Sequence, residues 1–316
     1  MQEMLRSTQE RFAAAALLLL SLLWTVGLLR QDAFPNWSDS PVPPLLRQAV
    51  PLGILGLIAA AVVMLRRSPR PGRRLLLTAV AVGLGMFVLP ALLIAGVHAI
   101  LSPLTRAGLF ALTPVFAVVL EPYLSRSQPL GGENRRLLAA LVGFSGALCL
   151  FPVGIPESTT SAAAYCAVIA ASLSVAAANC AATAAMVTFE SLPAFTAVTA
   201  FAAAVSLAAA SAVIERPQWH AAFASGQQIL PDLLWAAGVE VPALALLFWL
   251  MPRMTASRMA TRFLWPVVFA VPIAAVVFHT SPVRRSWLGV LLMAAGAGYL
   301  LFLSEPTPDA SGLSLR

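Results

Sequence analysis

Apolar residues run along this chain in long blocks, and polar residues gather between them. Ten apolar segments can be drawn, at 12–29, 48–65, 75–97, 104–124, 137–154, 162–187, 193–214, 231–251, 260–279 and 286–303. Each is close to the ~20 residues that a helix rising 1.5 Å per residue needs to cross a ~30 Å hydrocarbon layer. The runs are continuous rather than alternating, so they do not read as barrel strands. Lipid offers no partner for free backbone N–H and C=O groups, which leaves the helix as the spanning structure. The pattern predicts an all-α integral membrane protein with ten transmembrane helices. Segment 104–124 holds two charged residues, Arg106 and Glu121, and 260–279 holds Arg262 near its start. The polar end of the chain, 305–316, reads as a disordered tail.

The blocks also repeat. Sliding the first half by 152 residues lays Pro90-Ala91-Leu92 on Pro242-Ala243-Leu244, Thr105-Arg106 on Ser257-Arg258, Pro114-Val115 on Pro266-Val267, and Gly146 on Gly298. Two units follow, 1–152 and 153–304, each with five crossings. Five is odd, so the second unit enters the membrane from the opposite side. This is an inverted 5+5 repeat, an arrangement that recurs in secondary transporters because the two halves can exchange packings around a central site.

Composition narrows the class. The 316 residues are 59% hydrophobic and 10% charged, with a mean hydropathy of +0.86. A soluble domain carries about a quarter charged residues. The net charge is +7, and every basic residue is arginine. A basic balance can mark nucleic-acid binding. Here the arginines flank apolar runs, which points to membrane orientation, and no nucleic-acid partner is expected. If both termini are cytoplasmic, fourteen arginines fall on that side and six on the other. The bias predicts N-in, C-in topology in the inner (plasma) membrane. Arg262 counts among the cytoplasmic set in this reading. Arg6 and Arg11 before a long first run read as the start of a retained helix rather than a signal peptide.

Cys149, Cys166 and Cys180 lie inside apolar runs without metal-ligand spacing, and the three histidines are far apart. No metal or other cofactor is expected. No P-loop, GxSxG, HExxH or CxxC motif is present. The chain does not read as an enzyme, and the energy for any transport would come from an ion or solute gradient.

Three stretches carry a family likeness. They are SLLWTVGLL (21–29), ALTPVFAVVLEPYL (111–124) with LLAALVGFSGALCLF (137–151), and FLWPVVFAVPIAAVVF (263–278) with WLGVLLMAAGAGYLLF (287–302). In these the chain resembles the EamA-type drug/metabolite transporters, built as five plus five helices. The resemblance implies a carrier of small metabolites, often outward. The family's acidic residue after each proline-bearing helix is matched by Glu121 in the first half. The corresponding place in the second half, FHTSP (278–282), has no acid.

One carboxylate stands inside an apolar span. Glu240 lies about nine residues into 231–251, near mid-depth. An ionised acid there costs ~2.5–3.5 kcal/mol on insertion scales. It must face the bundle interior, pair, or hold a proton. That suits a proton-coupling site; the structural alternative is a hydrogen bond that ties helices together. Pro242 follows, and a proline frees a backbone carbonyl near residue 238. Asn179 and Thr183, one turn apart on one face, are expected to contact substrate or to bond across helices. Trp24 and Thr25 read as a cavity wall or an interfacial anchor. Arg106 and Arg258 are expected at the two mouths, either for anionic substrate or snorkelling to headgroups. Pro114 and Pro266 should kink their helices.

The reading is thus a secondary-active transporter of a small metabolite, working by alternating access and coupled to protons. The expected partners are the small-molecule substrate and membrane lipids, with a homodimer left open. Two other classes stay open: a membrane-embedded lipid-carrier flippase, and a non-transporting sensor or assembly protein.

Overall fold

The computed structural model describes residues 2–33, 42–67, 72–97, 99–124, 133–151, 153–186, 191–219, 229–279 and 282–303. The polar tail, His98 and His220 lie outside them. The described residues are almost wholly helical and contain no strand. We label the helices α1 (Gln2–Ala33), α2 (Pro44–Arg66), α3 (Arg73–Val97), α4 (Pro103–Leu124), α5 (Glu133–Leu150), α6 (Thr159–Met186), α7 (Leu192–Ile214), α8 (Ile229–Leu250), α9 (Ala256–Val277) and α10 (Arg284–Leu303).

Nine of these are long and apolar enough to cross a membrane among the described residues. Their outward faces carry Leu57, Val205 and Leu291, each more than half exposed, as helices solvated by lipid would. The chain is therefore a multi-pass membrane protein. The helix that falls short is α5, covering the predicted segment 137–154. It stops at Leu150, and its first turn carries Glu133, Arg135 and Arg136. The apolar remainder, 137–150, is only about 21 Å long at 1.5 Å per residue.

Among the described residues five breaks interrupt the regular helices: a π turn ends α10 at Tyr299–Leu303, and the other four fall in two pairs 152 residues apart. A π turn occupies Leu84–Val88 in α3 and another Ala236–Glu240 in α8. Each closes with an i→i−5 bond, from Leu89 N–H to the Leu84 carbonyl and from Val241 N–H to the Ala236 carbonyl. The cause follows two residues later. Pro90 and Pro242 offer no N–H and would clash with the carbonyl four residues back, so the wider turn relieves both. In α4 the helix breaks at Ala111 and Leu112; in α9 it tightens to a 3₁₀ turn over Thr261–Phe263 and restarts after Leu264. Pro114 and Pro266 each sit second in the restarted helix, where a missing N–H leaves nothing unsatisfied. The bends expected at these prolines thus lie just before them.

Two helix pairs cross closely and run antiparallel. In α2 and α7, a Cβ added at Gly53 would meet Ala204 and one at Gly56 would meet Phe201. In α5 and α10, Gly143 faces Gly296 and Gly146 faces Met293. As one number rises the other falls, which defines the antiparallel sense. The crossing residues Gly53 and Ala204 are 151 positions apart, and Gly143 and Gly296 are 153 apart. Glycine is required at the second crossing. A Cβ on Gly146 would come within 2.6 Å of both the Gly289 carbonyl oxygen and the Met293 nitrogen.

The two faces of the bundle are distinct. A cavity of about 390 Å³ is lined by Glu10 and Arg11 of α1, Arg253 and Arg258 around the start of α9, and Phe302 at the end of α10. These ends share what we call the N-terminal face. There Glu121 of α4 accepts a hydrogen bond from Ala256 N–H at 3.0 Å, and Arg136 of α5 approaches its other oxygen at 3.6 Å.

Candidate functional site

A cavity of about 550 Å³ lies among α1, α2, α3, α4, α8 and α9. Ligand pockets for drug-sized molecules run to ~300–1,000 Å³. It begins at mid-depth and extends away from the N-terminal face, past Leu28 near the end of α1 and Arg47 and Gln48 near the start of α2. Toward the N-terminal face it is closed. Leu17, Leu20, Leu247, Phe248 and Met259, all fully buried, pack there in one cluster.

Its wall is mostly apolar, and five of its side chains are aromatic. Trp24, Phe87, Phe110, Trp235 and Phe263 line it. The Phe263 ring lies 6.2 Å from Trp24 and 5.8 Å from Phe110, centroid to centroid. The break in α9 puts Phe263 there, because the 3₁₀ turn rotates the chain before the helix restarts at Trp265.

Two ionisable groups of opposite sign face this space below its mouth. Glu240 is half-buried and is the last residue of the α8 π turn. A π turn adds one residue to the helix circumference, and side chains at its end are re-aimed relative to a regular helix. Arg262, in the 3₁₀ turn of α9, is 1% exposed. Its Nη2 donates to Asn179 Oδ1 at 3.0 Å and its Nη1 to the Met259 carbonyl at 3.3 Å. Its Nε has no hydrogen-bond partner, and neither has Asn179 Nδ2. Its guanidinium carbon lies 5.8 Å from the Trp24 ring and 4.8 Å from that of Phe263. Among the described residues no carboxylate forms an ion pair with it.

Four of the residues proposed from sequence meet in this region. Glu240, Trp24 and Pro266 line the cavity. Asn179 is buried behind it and holds Arg262. The others are elsewhere. Thr25 is fully buried and donates to the Ser21 carbonyl at 2.8 Å and the Pro266 carbonyl at 3.1 Å, which ties α1 to α9. Thr183 donates to the carbonyls of Asn179 and Cys180 in its own helix. Pro114 is buried in α4 outside the cavity wall. Arg258 lines the smaller cavity at the N-terminal face. Arg106 lines neither cavity, and the arginine near the other mouth is Arg47.

Arg262 is the residue that sequence reasoning missed. Counted among flanking arginines, it is instead enclosed in the bundle. The signal was present: it stands two residues inside the apolar segment 260–279.

The fold and site together define a multi-pass all-α membrane protein with a polar-floored cavity between its helices. No family model and no curated protein matches the chain. Solved structures do, with 18 matching chains. One protein crystal structure superposes with a TM-score of 0.69 over 92% of this chain and 99% of its own, at 17% identity. At that identity the likeness shows the fold alone: nearly the whole of another solved chain follows the same course.

Proposed function

We propose that the protein is a secondary-active carrier that exports a small metabolite by alternating access, in the manner of the EamA-type transporters it resembles. The observation that carries this reading is the cavity of about 550 Å³, which is accessible toward one face and sealed by packed side chains toward the other. That is the form of one end state of an alternating-access cycle.

The moving parts are the units 1–152 and 153–304, related as an inverted repeat with α5 completing ten crossings. Three findings support the relation: π turns 152 residues apart, helix breaks 152 residues apart, and antiparallel crossings of α2 on α7 and α5 on α10. The arginine bias sets the N-terminal face in the cytoplasm of the inner membrane, so this state faces outward. The cavity takes its walls from helices of both units, so a rocking of one against the other would close it on one side and open it on the other. Glu240 is the proton site. A carboxyl in a space whose access alternates can take up a proton at one face and release it at the other.

The test compares cells expressing the wild type, Glu240→Gln or neither, with the media profiled by mass spectrometry and protein levels matched. A metabolite that accumulates outside wild-type cells but not outside mutant cells is the expected result. Equal export by both variants would remove Glu240 from the mechanism. No difference between wild-type and empty cells would overturn the export reading.

A further inference from the structure

We infer that the cavity selects an anionic substrate with an aromatic or similarly flat apolar body, and that Arg262 is the residue that holds its negative group. The inference rests on the carrier reading and adds the substrate class to it.

The argument begins with what Arg262 lacks. A guanidinium has five N–H donors. Two are used, on Asn179 Oδ1 and the Met259 carbonyl, and Nε–H has no acceptor although the side chain is 1% exposed. Both acceptors are neutral. A buried cation ordinarily has a carboxylate beside it, and here no carboxylate forms an ion pair with it among the described residues. Glu240 lines the same cavity yet does not pair with it. The guanidinium is therefore pinned by neutral groups at the inner end of a cavity, with donors and charge to spare. A carboxylate or phosphate entering the cavity would supply both the acceptor and the countercharge, and guanidinium geometry suits either.

The surroundings specify the rest of the ligand. Trp24 and Phe263 flank the guanidinium, and Phe110 and Trp235 continue the aromatic wall. Flat apolar groups stack on such rings. Arg47, also on the wall, adds a second positive charge along the way in from the mouth.

The experiment is equilibrium binding to the purified full chain in lipid nanodiscs, read by quenching of tryptophan emission. The probes are 2-naphthoate, its neutral counterpart 2-naphthalenemethanol, and the cation 2-naphthylmethylamine. The wild type is expected to bind naphthoate roughly ten- to hundred-fold more tightly than the alcohol, the range for a hydrogen bond to a charged group. Arg262→Gln is expected to abolish that preference. Because Arg262→Gln could fail to fold, Asn179→Asp provides an independent arm. It sets a carboxylate against the guanidinium and occupies it internally, so a folded Asn179→Asp protein should lose the preference for naphthoate too.

Equal or tighter binding of the alcohol or the amine by the wild type overturns the inference, as does binding of none of the three. A folded Asn179→Asp protein that keeps the wild-type preference also overturns it. The two readings fail separately. A chain that exports a neutral solute unchanged by Arg262→Gln is a carrier without this anion site. One that binds naphthoate as expected but exports nothing has the site and is not a carrier.

Discussion

Two arginines are buried among the described residues, and their surroundings differ. Arg136 of α5 is 6% exposed and faces Glu121, itself buried, across 3.6 Å near the N-terminal face. Glu121 also accepts from Ala256 N–H, so one carboxylate joins α4, α5 and the start of α9. Arg262, in the 3₁₀ turn of α9, has a neutral amide, a backbone carbonyl and aromatic rings. The first charge is compensated within the fold. The second is not, and it borders a cavity. A buried ion pair holds parts in place, because removing either member strands the other. A buried charge held only by neutral groups adds little to the fold, and it is available to something that enters.

The largest expected effect breaks the compensated side. Glu121→Ala leaves Arg136 buried without its partner, a loss of about 3–5 kcal/mol by comparison with other broken buried pairs. It also removes the acceptor of Ala256 N–H. The folded yield in detergent should fall sharply, and the thermal midpoint with it. Adding Arg136→Met should recover most of the loss by removing the stranded charge, leaving a deficit of about 1 kcal/mol for the missing cap. A double variant no more stable than Glu121→Ala alone would mean that Glu121 acts through the α9 start and not through Arg136.

The uncompensated side should behave in the opposite way. Arg262→Met removes a buried charge six residues into α9, where insertion costs at most the ~2.5–3.5 kcal/mol of a helix centre. It forfeits a hydrogen bond from a charged donor, worth about 1.5–3 kcal/mol. The two nearly cancel, so the thermal midpoint should stay within the equivalent of about 1 kcal/mol of wild type while export is lost. A drop as large as that of Glu121→Ala would make Arg262 a structural residue and erase the contrast.

The same comparison shows where sequence reasoning reached its limit. Because lipid forces about 20 apolar residues per crossing, the apolar segments match the helices within about four residues, except that α1 begins at Gln2 and not at 12. The offset of 152 was legible too: two of the three π turns and both helix breaks obey it. Glu240 and Trp24 were visible as polar or aromatic exceptions in apolar runs. Arg262 also stood inside an apolar run, but its depth depends on where α9 begins. The apolar run starts at 260, but the helix starts at Ala256. Thr255 caps it, accepting from Arg258 N–H, and Glu121 accepts from Ala256 N–H across 135 positions of sequence. A helix begun four residues early carries Arg262 into the bundle. Its partner Asn179 is 83 positions away. Contacts at such separations leave no trace in hydropathy.

Thr25 gives the smallest expected effect and the finest test of the boundary between fold and site. From sequence it stood beside Trp24 as a cavity residue. In the structure its hydroxyl is shared between the Ser21 and Pro266 carbonyls, and its side chain is fully enclosed and not part of the cavity lining. Thr25→Val keeps the shape and deletes the hydroxyl. Interhelical hydrogen bonds of this kind in membrane proteins average ~0.6 kcal/mol and reach at most about 1.7 kcal/mol. The thermal midpoint should shift slightly downward, and export per folded molecule should be unchanged. Suppose instead that export falls several-fold at unchanged stability. Then the Thr25–Pro266 bond must break or form during the transport cycle, and α1 would move against α9 at the residue next to Trp24. The walls around Arg262 would then be part of the moving machinery rather than a fixed frame for it.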